Sequence, residues 1–274
     1  MWAEQRQSRL WFKANGLIRH LMVRNFPLSG APKVVLTEYP KSGGTWISQM
    51  LSECLGITNP RNRIPPRHRC LIHGVHLAIS PCHNTVVLWR DGRDIMVSFY
   101  YHILFDKPLN ARWQAEEVAG KLGISDIYDI QTNLPRFIEY CFKGGYPGFP
   151  WNRFYEVWHG RTDCIHTSYE SMTADPHAEL SRLVAYVTGG EADPDAIKGA
   201  VDKFSFEALS NRARGTEDPT NFVRKGVPGD WRNKFTREAC EVFDHYAGDV
   251  LVALEYEKDR SWVSSPEATA AEAP

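Results

Sequence analysis

The sequence predicts an α/β fold. Short apolar runs that end in turn residues alternate with longer segments whose apolar positions recur at helical spacing. The run T-V-V-L-W at 85–89 is apolar almost continuously, which is typical of a strand covered on both faces. A glycine-containing turn separates the first apolar run from the first helical segment. Together these observations predict a P-loop-like three-layer architecture, in which helices flank a central parallel sheet.

The individual elements follow from the hydrophobic periodicity. The run V-V-L at 34–36 indicates a strand, and a stripe of apolar residues within 45–55 recurs at helical spacing. A proline at 176 suits the first turn of a helix. The predicted elements are a strand at 33–39, a helix at 45–55, a strand at 85–89, a helix at about 94–104, a strand at 164–169 and a helix at 176–187.

A long aromatic segment at 103–160 interrupts the alternation. Two structures fit it, a lid over a pocket or a helical cap with an ordinary core. Because the chain shows no internal repeat and no clear linker, we expect a single domain over 1–264, with an N-terminal helical extension at 1–32. Residues 265–274 are predicted to be a disordered tail.

Composition excludes several classes of protein. The 274 residues carry a formal net charge of −1, which argues against binding nucleic acid through bulk charge, so any anion site must be local. The six cysteines are scattered without a C-x-x-C pair, which indicates free thiols in a reducing compartment such as the cytoplasm. No apolar run approaches the ~20 residues of a membrane span. The first ten residues are too polar for a signal peptide.

The N-terminal stretch at 8–22 is amphipathic. Packing onto the domain is the favoured interpretation, because most amphipathic helices of globular proteins cover a core. A membrane-surface or substrate-entrance role is the alternative.

The stretch T-E-Y-P-K-S-G-G-T-W at 37–46 lies between the first strand and the first helix. Such a turn directs backbone N–H groups and the helix dipole at one spot, which favours a phosphate. Lys41 adds a movable positive charge, and Ser42 and Thr45 add hydroxyl groups. The lysine precedes the glycines, so the turn is not the G-x-x-x-x-G-K-[ST] loop of nucleoside triphosphatases.

Two further stretches carry clustered cations. In W-R-D-G-R-D-I-M-V-S-F-Y-Y-H at 89–102, Arg90 falls at the carboxyl end of a buried strand, the edge where open α/β sheets bind ligands. Ser98 follows eight residues later, about two helical turns. In F-V-R-K-G-V-P-G-D-W-R-N-K-F-T at 222–236, two cations precede Gly226 in a flexible basic loop. Taken singly, each stretch could also be an ordinary set of surface ion pairs or a solvated turn.

Together the three stretches resemble the sulfotransferase family, particularly the cytosolic type that uses 3′-phosphoadenosine 5′-phosphosulfate (PAPS). The family's YPKSGTTW signature corresponds to Y-P-K-S-G-G-T-W at 39–46, and its RKGxxGDWKNxFT signature to R-K-G-V-P-G-D-W-R-N-K-F-T at 224–236. Between them, R-D-G-R-D-I-M-V-S-F-Y-Y at 90–101 is similar to the family's arginine-containing run. The matches occur in family order and span most of the chain.

The resemblance implies roles for two sets of residues. The 5′ end of the donor would be held by the first loop. Trp46 would lie against the adenine and Phe206 would stack on it, while Tyr169 would approach the base or ribose. The 3′-phosphate would be held by Arg90, Ser98 and Arg224, with the basic loop closing over it. The implied cofactor-binding residues are Lys41, Ser42, Gly43, Gly44, Thr45, Trp46, Arg90, Ser98, Tyr169, Phe206, Arg224, Lys225 and Gly226.

The implied chemistry is in-line transfer of a sulfuryl group to a hydroxyl or amine, with PAPS as donor and no metal. Lys41 would stabilise charge on the leaving oxygen. A histidine would take the acceptor's proton. The family's base lies in a K-T-H-L-P-like segment, and the corresponding region reads R-C-L-I-H-G-V-H-L-A-I-S-P at 69–81. His76, which precedes a leucine, matches best, and His73 is the second candidate.

Three alternatives stay open at this point. Cys70, His73, His76 and Cys82 could be metal ligands, although their spacing matches no usual zinc pattern. The chain could also be a P-loop phosphotransferase, or a catalytically silent nucleotide-binding protein.

The expected partner is a small-molecule acceptor. A homodimer is a further expectation, although Arg237 replaces a valine of the family's dimer segment and would hinder that contact.

Overall fold

The structure is a computed structural model that describes residues 34–61, 63, 69–75, 77, 84–105 and 112–264, together with 14, 17, 18 and 21. The described residues fall into two compact units. Unit 1 lies within Met1–Trp89 and Val157–Asn211, and unit 2 lies within Arg90–Glu156 and Arg212–Pro274.

Unit 1 contains a parallel sheet of four strands among the described residues. The strands are β1 (Val34–Glu38), β2 (Leu71–Gly74), β3 (Asn84–Trp89) and β4 (Ile165–Ser168), in the order β2-β1-β3-β4. Because all three pairings are parallel, the carboxyl ends of the strands share one edge of the sheet. The strand β1 occupies a central position, and every one of its residues is buried. The loop that follows β1 therefore starts from the middle of the sheet.

Side chains from the helices of unit 1 share a core with one face of this sheet. The helices of this unit are α1 (Gly44–Cys54), α6 (Tyr169–Ala174), α7 (Pro176–Thr188), α8 (Pro194–Lys203) and α9 (Phe206–Ser210). Leu36 and Leu88 of the sheet share a core with Leu51 of α1 and Leu183 of α7. Burial of such side chains contributes roughly 1.5–3 kcal/mol each, which fixes the direction in which α1 leaves the loop.

Unit 2 is helical in the described residues. Its elements are α2 (Gly92–Leu104), α3 (Arg112–Leu122), α4 (Ile130–Phe142), α5 (Trp151–Trp158), whose last two residues belong to unit 1, α10 (Arg237–Ala253), and 3₁₀ helices at Asp230–Asn233 and Arg260–Ser264. Asp91 caps α2 by accepting the Arg93 N–H at 2.9 Å. Phe142 of α4 and Trp151 of α5 both contact Phe243 of α10, so the aromatic residues form an ordinary core.

The structure confirms the predicted α/β class, with a parallel sheet flanked by helices. Each of the six predicted elements is present, with boundaries that differ by at most two residues. Within 103–160, three helices and buried tryptophans favour a helical cap. Among the described residues, no helix is long and apolar enough to cross a membrane.

The predicted chain termini are only partly described. Residues 14, 17, 18 and 21 are helical, and the side chains of Leu17 and Leu21 are exposed. The rest of the amphipathic stretch at 8–22 and the predicted tail at 265–274 lie outside the described residues. The single domain over 1–264 stays a prediction.

Candidate active site

The loop after β1 has a strained backbone. Lys41 has φ 75°, in the left-handed region that costs a non-glycine residue of order 1 kcal/mol, and Gly43 has φ 98°. The Ser42 hydroxyl donates to the Tyr39 carbonyl at 2.7 Å, and the Ser42 N–H points to the same oxygen at 3.2 Å. Buried Ser42 therefore tightens the turn in this structure, instead of extending its hydroxyl proton outward. The turn delivers the chain directly into α1.

Aromatic residues contact the loop from two other parts of unit 1. A Cβ placed on Gly43 would lie 2.7 Å from the Tyr169 ring, so that ring approaches the loop backbone more closely than any side chain would permit. The ring centroids of Trp46 and Tyr169 are 5.9 Å apart in an edge-to-face arrangement. The Trp46 indole N–H donates to the Phe204 carbonyl at 2.8 Å. The structure thus joins the loop, the start of α6 and the segment that precedes α9.

Two other predicted residues of unit 1 have defined positions. Phe206 begins α9 and is 5% exposed, while Ser205 before it caps the helix by accepting the Ala208 N–H at 3.2 Å. Thr45 lies in the first turn of α1 and is half-buried. Phe206 is thus held next to the carbonyl that anchors Trp46.

A carboxylate that the sequence analysis missed lies against the same loop. Glu38, the last residue of β1, accepts the Gly44 N–H on Oε2 at 2.7 Å, and its Oε1 is 2.8 Å from Nε2 of His73. Glu38 is 7% exposed and the His73 side chain 14% exposed. The signal in the sequence was a charged residue at the end of an otherwise apolar strand.

In unit 2, one face of α2 carries the predicted anion-binding groups. Asp94, Ser98 and Tyr101 recur at helical spacing, so they lie on the same side of the helix. Arg90, just before the helix, points a guanidinium nitrogen to within 3.9 Å of the Asp94 carboxylate. The guanidinium of Arg224 lies 4.7 Å from the centroid of the Tyr101 ring. Ser98 therefore shares a helix face with Asp94, which Arg90 approaches, and with Tyr101, which Arg224 approaches.

Carboxylates hold the cations of the basic loop. Nη1 of Arg224 pairs with Asp230 at 2.7 Å and also with Glu217, so one corner of the guanidinium is fixed. Lys225 donates to the second oxygen of Asp230. Burial alone would raise the pKa of Asp230, but the charges of Arg224 and the hydrogen bond from Lys225 hold that pKa below its ordinary value. At Glu217 too, nearby cations outweigh the effect of burial and lower the pKa of the carboxyl group.

Asp94 ties the basic loop to α2. Its two carboxylate oxygens accept the N–H of Gly229 at 2.6 Å and the N–H of Trp231 at 2.9 Å. Gly226, which follows the two cations, has φ 72° and so adopts a conformation that favours glycine. Burial, opposed by the charge of Arg90, raises the pKa of Asp94. This buried carboxylate was also missed, because no local pattern shows that it accepts backbone N–H groups more than 100 residues away.

Arg93 is part of the structural core of unit 2. It pairs with Asp91 at 2.8 Å, and its guanidinium stacks 3.8 Å from the Trp231 ring centroid and 4.7 Å from that of Trp262. Arg93 and Asp91 therefore form a buried ion pair, whereas the alternative for the stretch at 89–102 was a set of surface ion pairs.

Only some of the predicted base and metal-ligand residues are among the described residues. His76, the predicted base, lies outside the described residues, as does Cys82 of the proposed metal set. Cys70 is buried, and His73 bonds to Glu38. Within the part of the chain that the structure describes, no group of three or more His, Cys, Asp or Glu residues is placed to hold a metal ion.

The family model of the sulfotransferase domain matches residues 76–255, which is more than half of the chain. The chain belongs to the sulfotransferase family. This match includes the two cationic stretches at 89–102 and 222–236, whereas the loop at 39–46 precedes it. The reaction of this family, transfer of a sulfuryl group from a PAPS-type donor, is therefore the reaction class of this chain, and it excludes the P-loop phosphotransferase.

Curated relatives show the same assignment at low identity. The chain is 23% identical to mouse sulfotransferase 1B1 over 261 residues, which is 77% of this chain and 80% of the relative. It is 24% identical to human sulfotransferase 1E1, over 78% of this chain and 82% of the relative. It is also 24% identical to cytosolic sulfotransferase 12 of Arabidopsis thaliana, over 77% of this chain and 74% of the relative.

Solved structures share the fold. Mouse sulfotransferase SULT7A1 complexed with PAP superposes with a TM-score of 0.61 at 18% identity, covering 88% of this chain and 92% of that one. Retinol dehydratase in complex with androsterone and PAP gives a TM-score of 0.62 at 18% identity, covering 87% and 85%. These similarities confirm the predicted fold class.

Proposed function

We propose that this chain transfers the sulfuryl group of PAPS to a hydroxyl or amine of a small acceptor by in-line displacement. The observation that supports the proposal is one face of α2, where Ser98 lies between Asp94, which Arg90 approaches, and Tyr101, which Arg224 approaches. A 3′-phosphate is the feature by which PAPS differs from other adenine nucleotide donors. Two arginines and a hydroxyl on one face fit such a group, because guanidinium forks grip phosphate oxygens in pairs.

The residues of unit 1 fit the other end of the donor. Lys41, Ser42, Gly43, Gly44 and Thr45 would hold the 5′-phosphosulfate at the start of α1, where the helix dipole favours an anion. Nearby, Trp46, Tyr169 and Phe206 offer aromatic surface to the adenine and ribose. The Gly44 N–H already donates to Glu38, so fewer loop N–H groups reach the phosphate than the family signature implies.

The residues of unit 2 would hold the 3′-phosphate. Arg224 keeps one nitrogen on Asp230 and Glu217, so its planar fork is oriented before the donor binds. Lys225 and Gly226 would close the loop over the phosphate. Orientation in advance reduces the loss of side-chain entropy on binding.

The chemistry needs one cation and one base. As the S–O bond to the nucleotide breaks, negative charge builds on the bridging oxygen, and Lys41 would stabilise it without a metal. The acceptor loses a proton as it attacks, and a histidine would take it. His76 is our first candidate from the sequence, and His73 is the second.

The acceptor remains a small hydroxyl or amine compound, and the cytoplasmic location and the homodimer stay predictions.

Two measurements test this function. We expect PAP to raise the melting temperature and ATP to leave it nearly unchanged, because a ligand stabilises the folded state in proportion to its binding. We then expect transfer of radiolabelled sulfate from PAPS in a screen of phenols, alcohols, amines, glycans and lipids. Equal stabilisation by PAP and ATP would contradict the donor assignment. Stabilisation by PAP without transfer to any acceptor would support the silent nucleotide-binding protein.

A further inference from the structure

Glu38 and His73 form a buried pair at the carboxyl edge of the sheet in unit 1. Leu36 of β1 is in register with His73 of β2, and Glu38 lies two residues beyond Leu36. Because alternate residues of a strand share a face, Leu36, Glu38 and His73 project to the same side of the sheet. That side is the one covered by α1, whose first residue is Gly44. The pair therefore faces the end of the loop that follows β1, where α1 begins at Gly44; this loop, at 39–46, is the donor loop of the proposed function.

The pair occupies the space of a side chain that the loop lacks. A Cβ on Gly44 would lie 2.5 Å from Cδ of Glu38 and 2.5 Å from Nε2 of His73. The family signature has a threonine at this position. In this chain the position is a glycine, and the carboxylate of Glu38 and the imidazole of His73 fill the space that a side chain would take. The Gly44 N–H donates to Glu38 at 2.7 Å, which couples the pair to the loop backbone.

The contact also determines which nitrogen of His73 carries the proton. An ionised carboxylate can only accept hydrogen bonds, so the 2.8 Å contact with Oε1 places the proton on Nε2. In the neutral ring, Nδ1 is then the basic nitrogen. Glu38 is bonded to both His73 and Gly44, so the ring orientation is fixed relative to the loop.

We infer that Glu38 is a positioning residue for His73, which acts as the base for the acceptor; the inference rests on the proposed function. As the acceptor oxygen forms its bond to sulfur, its proton moves to Nδ1 of His73. The S–O bond to the nucleotide breaks, and its electron pair remains on the bridging oxygen beside Lys41. Glu38 keeps the imidazole in the Nε2–H tautomer and stabilises the imidazolium that forms.

The kinetic test compares two acceptors of one skeleton, a weakly acidic phenol and a nitrophenol that is ionised at the assay pH. An ionised acceptor has no proton to lose, so it needs no base. We expect His73→Ala to lower kcat about 100-fold or more with the weakly acidic phenol and to change it little with the nitrophenol. Glu38→Ala should lower the first rate at least about tenfold, also sparing the second.

Matched variants separate positioning from general damage. In Glu38→Gln, the amide oxygen can still accept the His73 N–H, so we expect part of the rate to return. Glu179→Ala is the control, because this glutamate of unit 1 bonds to Thr167 and Arg182 instead of the loop, and we expect full activity. Stabilisation by PAP should be retained in all four variants, which shows that the donor loop is intact.

A spectroscopic measurement tests the pair without turnover. In alkaline buffer, the ¹⁵N spectrum of the full-length protein should show His73 as the Nε2–H tautomer, and Glu38→Ala should give a mixture of tautomers. His73→Ala assigns the signal. An Nδ1–H tautomer in the unsubstituted protein would overturn the inference.

The outcomes distinguish this inference from the proposed function. If His76→Ala alone shows the dependence on acceptor acidity, His76 is the base and the inference fails while the sulfotransferase assignment stands. If Glu38→Ala reduces the rates of both acceptors equally, Glu38 has a structural role only, and the inference is again wrong. Failure of PAP to bind the unsubstituted protein would instead contradict the proposed function itself.

Discussion

Lys41 lies in a left-handed backbone conformation next to buried Ser42. The strain of order 1 kcal/mol that this conformation imposes on a lysine could be relieved by glycine, so the side chain is kept at a cost in stability. A positive charge for the leaving oxygen is the reason we assign to it.

We expect Lys41→Ala to lower kcat by about 10²–10³, the effect typical of removing one group that stabilises transition-state charge. Its affinity for PAP should fall far less, since the loop backbone remains. Steady-state kinetics and PAP titration measure the two effects. Lys203→Ala is the control, because this exposed lysine of unit 1 pairs with Glu53. Equal losses in kcat and PAP affinity would contradict the role of Lys41.

Gly44 has a different constraint, since space and not backbone angle excludes a side chain there. We expect Gly44→Thr to lower the free energy of unfolding by about 1–3 kcal/mol, because the new atoms displace Glu38 and His73. Adding Glu38→Ala should recover about 1 kcal/mol or more of that loss. Urea unfolding of the two single variants and the double variant measures the coupling.

Gly199 provides the control for this experiment. It lies inside α8, and a Cβ there would meet no atom within 4 Å. Gly199→Ala should therefore be neutral or stabilising by up to about 1 kcal/mol. Strictly additive effects of Gly44→Thr and Glu38→Ala would show that the two positions do not compete for space.

At the scale of elements, the basic loop depends on α2 for its position. Asp94 accepts two backbone N–H groups of the segment that follows Gly226. Removing the carboxylate leaves both N–H groups without that acceptor in a largely buried place. The loss of stability is about 1–3 kcal/mol for each N–H group. Part of this cost is offset because a buried charge is removed at the same time.

We expect Asp94→Ala to lower the free energy of unfolding by about 2 kcal/mol or more and to weaken PAP binding. Asp129→Ala is the matched variant, because Asp129 caps α4 at the surface, and it should cost about 1 kcal/mol without affecting PAP. Denaturant unfolding and calorimetry measure the two quantities. Unchanged PAP affinity in Asp94→Ala would show that the loop does not need this anchor.

The ion pairs of the basic loop predict a pH dependence of stability. The pKa values of Asp230 and Glu217 are lower in the folded chain than their ordinary values. Each carboxylate therefore contributes stability that is present above the unfolded pKa, about 4, and is lost as pH falls through the lower folded pKa. In Arg224→Ala, the pH-dependent stability contributed by these two carboxylates should be smaller.

Unfolding free energies of the two proteins measured from about pH 6 to about pH 3.5 test the prediction. The difference between them should shrink as the pH falls, because protonation removes the contribution that Arg224 supports. Parallel curves over this range would show that Arg224 does not hold the two pKa values down.

For the whole molecule, periodicity predicted the fold well because the sheet and its covering helices are ordered by burial. The runs at 34–36 and 85–89 became strands of the central sheet, and the stripe within 45–55 faces the core. Some predicted helix ends differ from the observed ends by one or two residues, because capping interactions and not periodicity determine where a helix begins and ends. The anion-binding roles assigned to the loop after β1 and to the two cationic stretches stay predictions.

The carboxylates of the site could not be predicted in the same way. Glu38 and Asp94 act on backbone N–H groups and side chains brought near them by folding, and no local pattern marks such a contact. Asp230 was part of a recognised motif, but its ion pair with Arg224 depends on the turn at Gly226. His76 stays a prediction because it lies outside the described residues.

Arg224 is proposed to bind the 3′-phosphate of the donor. Calorimetric titration of PAP and of adenosine 5′-phosphate into the unsubstituted protein, Arg224→Ala and Arg232→Ala tests it most directly. We predict that Arg224→Ala weakens PAP binding about 10- to 100-fold and leaves the affinity for adenosine 5′-phosphate unchanged, because only PAP carries the 3′-phosphate that Arg224 is proposed to bind. Arg232, an exposed arginine of the same motif, should have no effect. Equal weakening of both nucleotides by Arg224→Ala would contradict the account.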